Sequence, residues 1–383
     1  MRKVAMILAV TLLIFQTGCW NAREINELAF VLSIALDKAE EGFYVTAQVA
    51  KPEVYSKSGT GGGGTEKEKP FWVISGSGKT IFEAIRNMAE ISPRRVFWSH
   101  IKVIIISEEI AREDVLDIFD FFSRNPELRL RTWIAVTEGK AGKILDIMPV
   151  IEKDPSHNIE QIINKTNITG KGYSIMLKNF LEEYLDPYTD PVASRITVTT
   201  VNSKPTVRLE GAAVFDIGKM VGWLDAEETR GLLWMKNKIS NSIRVVDCPY
   251  DGKPLTIEIK KGKINIKSQI NNGVPSFTIT ATAVGKLTEK SGLTEYNNPE
   301  TIKTLEAALA KAIHDDIEQA VTAAQKYHAD FINFTRALQI EHKKEWEQIS
   351  SSWPEQFRTA KVDINVKADI PEVSLLAKSL APR

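Results

Sequence analysis

The chain is short of the residues that most directly announce chemistry. Two cysteines, Cys19 and Cys248, stand in 383 residues, and five histidines. Two cysteines far apart exclude the closely spaced thiol sets of zinc ribbons and cluster-binding domains. His314, His328 and His342 recur every 14 residues on a segment read below as helix, which puts neighbours about 21 Å apart at 1.5 Å per residue. Metal ligands converge within a few ångströms of one ion, so these three do not form one site. An excess of charge of either sign is also missing: 49 basic residues face 49 acidic ones. A nucleic-acid-binding protein ordinarily carries a basic face, and none is indicated. Long apolar runs are scarce too. The one present, Val4 to Phe15, is shorter than the roughly 20 residues a spanning helix needs.

That single run is informative by its position. Met1-Arg2-Lys3 precedes it and Gln16-Thr17-Gly18-Cys19 follows it. A basic end, a short apolar core and small residues before a cut site make a secretory signal. A cysteine directly after Thr17-Gly18 resembles the site at which bacterial lipoproteins are cleaved and acylated, although Gln16 stands where that site usually has Leu. We therefore expect a signal peptide over residues 1–18 and lipid on the Cys19 sulfur. The mature chain would carry 47 basic and 49 acidic residues, anchored at a membrane without crossing it. Cys248 would then have no partner for a disulfide. It precedes Pro249 and has no evident base beside it, which marks a structural thiol.

Periodicity sets the organisation. Residues 27–37 and 42–50 read as strands, with Phe43, Val45, Ala47 and Val49 alternating with Tyr44, Thr46 and Gln48. Residues 56–69, with four consecutive glycines, cannot bury enough surface to fix a conformation and read as a mobile loop. Strands at 71–75, 101–106 and 132–137 alternate with helices at 80–91 and 108–123, an α/β order. Helical pieces are expected at 139–148, 156–166 and 173–184. Asp186-Pro187 and Asp190-Pro191 break the pattern. We place the N-terminal domain over 19–195 and a C-terminal α+β region over 196–383, which could itself divide near 250. In that region, strands at 194–201, 206–216, 241–247, 254–270 and 275–286 suggest antiparallel sheet. A short helix follows Asp225. Apolar residues from Ile302 to Leu338 repeat with a mean spacing of 3.6, the α-helical period, behind Asn298 as cap and Pro299. An unbroken helix to Ser350 would exceed a domain, so a kink or break is expected, and a last strand at 361–369 pairs back. The fold class is α+β, multi-domain.

Gly76-Ser77-Gly78-Lys79-Thr80 ends like a phosphate-binding loop. The full motif needs a glycine at 73, where Val73 stands, and so nucleotide binding is not expected. His100 follows Trp98-Ser99, but spacing assembles no nucleophile–base set around it. No catalytic, cofactor or metal residues are assigned.

Three segments carry a family likeness. The first is Gly18-Cys19-Trp20-Asn21-Ala22-Arg23-Glu24. The second joins Thr80-Ile81-Phe82-Glu83-Ala84-Ile85-Arg86, Ser92-Pro93-Arg94-Arg95, Phe97-Trp98-Ser99-His100 and Asn125-Pro126-Glu127-Leu128-Arg129-Leu130-Arg131. The third joins Gly211-Ala212-Ala213-Val214-Phe215, Gly222-Trp223-Leu224 and Glu227-Glu228-Thr229-Arg230-Gly231. Together they resemble the Ger(x)C lipoproteins, the C subunits of spore nutrient germinant receptors; Asn21 replaces the family's usual Asp. The resemblance implies a non-enzymatic subunit on the outer face of the spore inner membrane, beside a multi-spanning A subunit and a membrane-spanning B subunit. It implies no cofactor, and Cys19 is the one functional position it transfers. The alternative from another class is a lipid-anchored solute-binding protein or hydrolase, with an aromatic cleft between lobes.

Overall fold

The computed structural model describes residues 2, 24, 27–57, 68–291, 296 and 298–373. Cys19 and most of the glycine-rich stretch lie outside them.

The first sheet is mixed, in the order β3-β2-β1-β5-β6-β7-β8-β9. β1 (Leu28–Lys38), β2 (Phe43–Ala50) and β3 (Phe71–Gly78) form an antiparallel meander. β4 (Arg95–Phe97) runs parallel to the first residues of β1, pairing Leu28 with Arg95 and Phe30 with Phe97. β5 (Val103–Ser107), β6 (Trp133–Thr137) and β7 (Val192–Val201) continue in parallel from β1. β8 (Lys204–Asp216) and β9 (Lys219–Leu224) close the sheet antiparallel. Residue 195 therefore falls inside a strand, and residues 196–224 share the sheet of the residues before them.

The unbroken run Val103-Ile104-Ile105-Ile106 has a physical reason: β5 is covered on both faces, as central parallel strands are. Ile104 and Ile106 face α1 (Ile81–Asn87), α2 (Leu116–Arg124) and α4 (Leu177–Leu185). Val103 and Ile105 face the other way, onto the 3-10 turn Ala141–Asp146 and α3 (Pro155–Asn164). The helix expected over 139–148 takes that tighter form because the Asp37 carboxylate accepts the amides of Ala141 (2.7 Å) and Gly142 (2.8 Å). The helix expected over 108–123 breaks. Asp114 accepts the Leu116 amide and the Val115 amide donates to the Gly218 carbonyl, so a new helix starts at Leu116.

The second sheet has the order β10-β11-β12-β13. β10 (Ser242–Asp247), β11 (Pro254–Asn271) and β12 (Val274–Lys290) are antiparallel; β13 (Lys361–Val373) pairs parallel to β12. Burial alternates along β11 and β12, with one face wet and one packed. Phe277, Ile279, Ala281 and Ala283 on the packed face join Leu305, Leu309, Ile313 and Ile317 of α6 (Pro299–Tyr327). The apolar stripe of the long segment thus packs on the protein's own sheet. The segment breaks at His328, whose left-handed backbone (φ 57°) ends α6 while its amide bonds the Ala324 and Gln325 carbonyls. Three shorter helices follow: α7 (Phe334–Glu341), α8 (Lys343–Ile349) and α9 (Trp353–Phe357). Phe334 stacks flat on Phe277 with ring centres 4.0 Å apart, and Trp353 covers the pair.

A short helix, α5 (Ala226–Met235), joins the two sheets. Asp225 caps it through the amides of Glu227 and Glu228, and the Glu228 carboxylate reaches back to the Asp225 amide. This reciprocal arrangement satisfies donors that a helix start leaves open.

Candidate functional site

Cys19 lies outside the described residues, nine positions before Leu28. The chain that follows it enters the fold at the β1 start, and that end of the first sheet collects the later parts of the second family-like segment, from Ser92 onward. β4 pairs with the opening of β1. Arg95 bonds Glu127 across to the Asn125–Arg131 turn at 3.1 Å. His100 is a packing residue, its ring 5.2 Å from Phe30 and 5.8 Å from Phe97. Beside them lies a groove of about 500 Å³ with Trp98 and Phe121 in its wall. Arg86 rests 4.8 Å above the exposed Phe82 ring at the same groove.

The Gly-Lys-Thr turn sits at the opposite end of β3. Thr80 Oγ1 accepts the Glu83 amide at 3.1 Å, and the Glu83 carboxylate accepts the Lys79 amide at 2.8 Å. The Lys79 and Glu83 amides are thus already engaged by the chain. The glycines answer to packing. A side chain at 76 would meet the Ala84 carbonyl at 2.4 Å, and one at 78 the Ala84 amide at 2.5 Å. They let α1 lie against β3.

The remaining candidates separate. His314 bonds Asp315 and, with Glu318, could offer three ligand atoms within 4.8 Å of one another. These groups are partly or fully exposed, and Lys311 already holds Asp315 at 2.7 Å, so no metal is assigned to them. His328 is a helix terminus and His342 bonds the Ser268 carbonyl at 3.0 Å. Cys248 is buried, with its sulfur 3.1 Å from the Tyr296 hydroxyl, and it hydrogen-bonds the Asp251 carboxylate, a neighbour the sequence reading did not anticipate.

Sequence reasoning missed two buried acidic centres that fasten the sheets together. Asp316 is fully buried on α6 and faces Arg230 of α5 at 3.3 Å and Arg244 of β10 at 3.2 Å. Burial pushes its carboxyl up to about 6, although both arginines pull the other way. Asp330 accepts the amides of Phe334 and Thr335 at the start of α7, and its own amide donates to Asp190 at 2.5 Å. Burial raises Asp190 to about 7, with Asp216 and Asp330 adding repulsion, and raises Asp330 as well. Asp316 had a visible signal: it is a charge beside the apolar stripe positions Ile313 and Ile317. Asp190 and Asp330 had none, because they are 140 residues apart.

Comparison with known proteins gives one consistent answer. The family model described as the spore germination protein N-terminal domain matches residues 21–198. The model described as the spore germination B3/GerAC-like C-terminal region matches residues 210–374. Spore germination protein B3 of Bacillus subtilis (strain 168) is 28% identical, over 91% of this chain and 93% of its own. Spore germination protein KC of the same organism is 26% identical, over 96% and 93%. The crystal structure of the GerBC protein superposes with a TM-score of 0.57 at 22% identity, covering 91% of this chain and all of that one, and so shares the fold. Among the described residues no helix is long and apolar enough to cross a membrane. The family is non-enzymatic. The chain belongs to the GerAC/GerBC-like family of spore germination proteins, the C subunits of germinant receptors.

Proposed function

We propose that this C subunit is a lipoprotein of the spore inner membrane, held at its outer face by lipid on Cys19 and working with A and B membrane subunits in nutrient-triggered germination. Residues 1–18 are its signal peptide. The observation that carries the reading is the placement of Cys19, behind the one apolar run and nine residues before the first strand. Anchoring confines the folded region to two dimensions and raises its effective concentration near membrane partners. The names of the relatives, spore germination proteins B3 and A3, support a receptor role.

Spores carrying Cys19→Ala test it. Loss of the nutrient response together with loss of the membrane-bound pool is the expected outcome. A full response from a soluble, non-acylated protein at normal levels would contradict the reading.

A further inference from the structure

The geometry points to a second membrane contact: the end of the first sheet at which β1 begins rests on the bilayer, with Ile91, Val150 and Ile151 entering its interface and Arg94, Arg129 and Arg131 meeting anionic headgroups. This rests on the lipid anchor proposed above and adds the orientation of the subunit to it.

Chain length is the first argument. Leu28 stands nine positions after Cys19, and a fully extended chain spans at most about 3.3–3.6 Å per residue. A lipid on Cys19 therefore holds Leu28 within about 30 Å of the bilayer.

The chemistry of that end is the second argument. Segment 146–151 is tied to it: Gln48 near the end of β2 bonds the Leu145 carbonyl at 2.7 Å, and Lys69 just before β3 pairs with Asp146 at 2.5 Å. Beyond that tie Val150 is 80% exposed and Ile151 90%. On the other face of the same sheet Ile91 is 59% exposed, just before β4. Arg129 and Arg131 lead into β6, whose first residue pairs with the start of β5. Arg94, Arg129 and Arg131 are exposed and carry no ion pair among the described residues.

The form of the surface selects the occupant. A stable protein interface buries a continuous patch with a desolvated centre. Here single aliphatic side chains stand at loop tips on both faces of one sheet end, with unpaired arginines near them. Apolar tips beside exposed arginines match the acyl–headgroup boundary of an anionic membrane.

The test uses the acylated mature protein reconstituted into vesicles containing phosphatidylglycerol. Ile151→Cys is labelled with an environment-sensitive fluorophore; acylated Cys19 and buried Cys248 leave it the accessible thiol. Glu41→Cys, past the far end of β1, is the control, and β1 alone places it roughly 33 Å away at about 3.3 Å per residue. Several-fold stronger quenching by brominated lipid at 151 than at 41 is expected, and Arg94→Glu, Arg129→Glu and Arg131→Glu together should remove most of the difference. Equal quenching at both positions in protein that floats with the vesicles overturns this inference and leaves the anchor standing. Failure of the wild-type protein to float overturns the anchor, and this inference with it.

Discussion

The residues that most strain this fold are buried acids. Asp316 is held by two arginines, yet its carboxyl rises to about 6, so burial outweighs their attraction. Removing one member of such a buried set leaves the other charges uncompensated. Asp316→Ala should cost about 3–5 kcal/mol, read as a fall in the urea midpoint at neutral pH; a change below 1 kcal/mol would mean that water solvates the arginines. Asp190 makes a pH prediction. Its folded pKa is raised to about 7 against an ordinary 3.8. Between those values the folded state binds more protons than the unfolded state, so stability is greatest below about 4 from this group and falls as pH rises to 7. The slope is at most about 1.4 kcal/mol per pH unit. Asp190→Asn keeps an acceptor for the Asp330 amide and should flatten that slope, measured by urea unfolding at pH 5 and pH 8. An unchanged slope would assign the pH dependence to Asp330 or Asp216.

At the scale of elements, strands with a regular alternation were legible and contacts between distant segments were not. The 3.6-residue stripe located the long helix, its cap at Asn298 and the need for a break, because each of these is a local property. The alternation of β2 and the last strand were readable for the same reason. β9 went unread, since six residues with a central Gly222 show no clear period. The helix expected over 173–184 starts only at Leu177, because the Ile175 carbonyl accepts the Ile134 amide and Met176 bridges to Trp133. Of the site, the proposal for Cys19 rests on sequence alone, whereas the convergence of Phe82, Arg94 and Pro126 on one groove depends on β4 crossing to β1. The family-like Gly231 proves to be a packing residue. A Cβ there would lie 2.0 Å from the Asp316 carbonyl and 2.7 Å from Ala320, where α5 crosses α6. Alanine is the better helix former by up to about 1 kcal/mol, but the forced separation should outweigh it. Gly231→Ala is expected to lose about 1–3 kcal/mol net in chemical denaturation, and a gain in stability would show that the crossing is loose.

At the scale of the whole molecule, the question is whether the two sheets unfold together. One hydrophobic cluster runs from Ala29 and Ile34 in β1 through Leu232 and Trp234 in α5 to Ile279 and Ile370 in the second sheet. The polar ties cross at the same places: Arg230 and Arg244 to Asp316, Asp190 to Asp330, and Arg336 to Asp186. A boundary with a dry, continuous core and buried charges on both sides cannot open without exposing them, and the cost of opening it couples the parts. We therefore expect a single cooperative transition in urea. Tryptophans report on each part: Trp72 and Trp133 lie in the first sheet, Trp223 and Trp234 at the joint, and Trp346 and Trp353 beside the second. Fluorescence and far-ultraviolet circular dichroism should trace coincident curves. Two separated transitions would instead mark the first sheet, through β9 at Leu224, as an independently folding unit, and would place flexibility between it and the sheet that α6 supports. A rigid joint has a consequence for a receptor subunit: a force or displacement applied at the second sheet reaches the far end of the first without being absorbed between them. Asp316→Ala weakens that joint without removing the shared core, so its fluorescence and circular dichroism curves should shift to lower urea together and stay coincident.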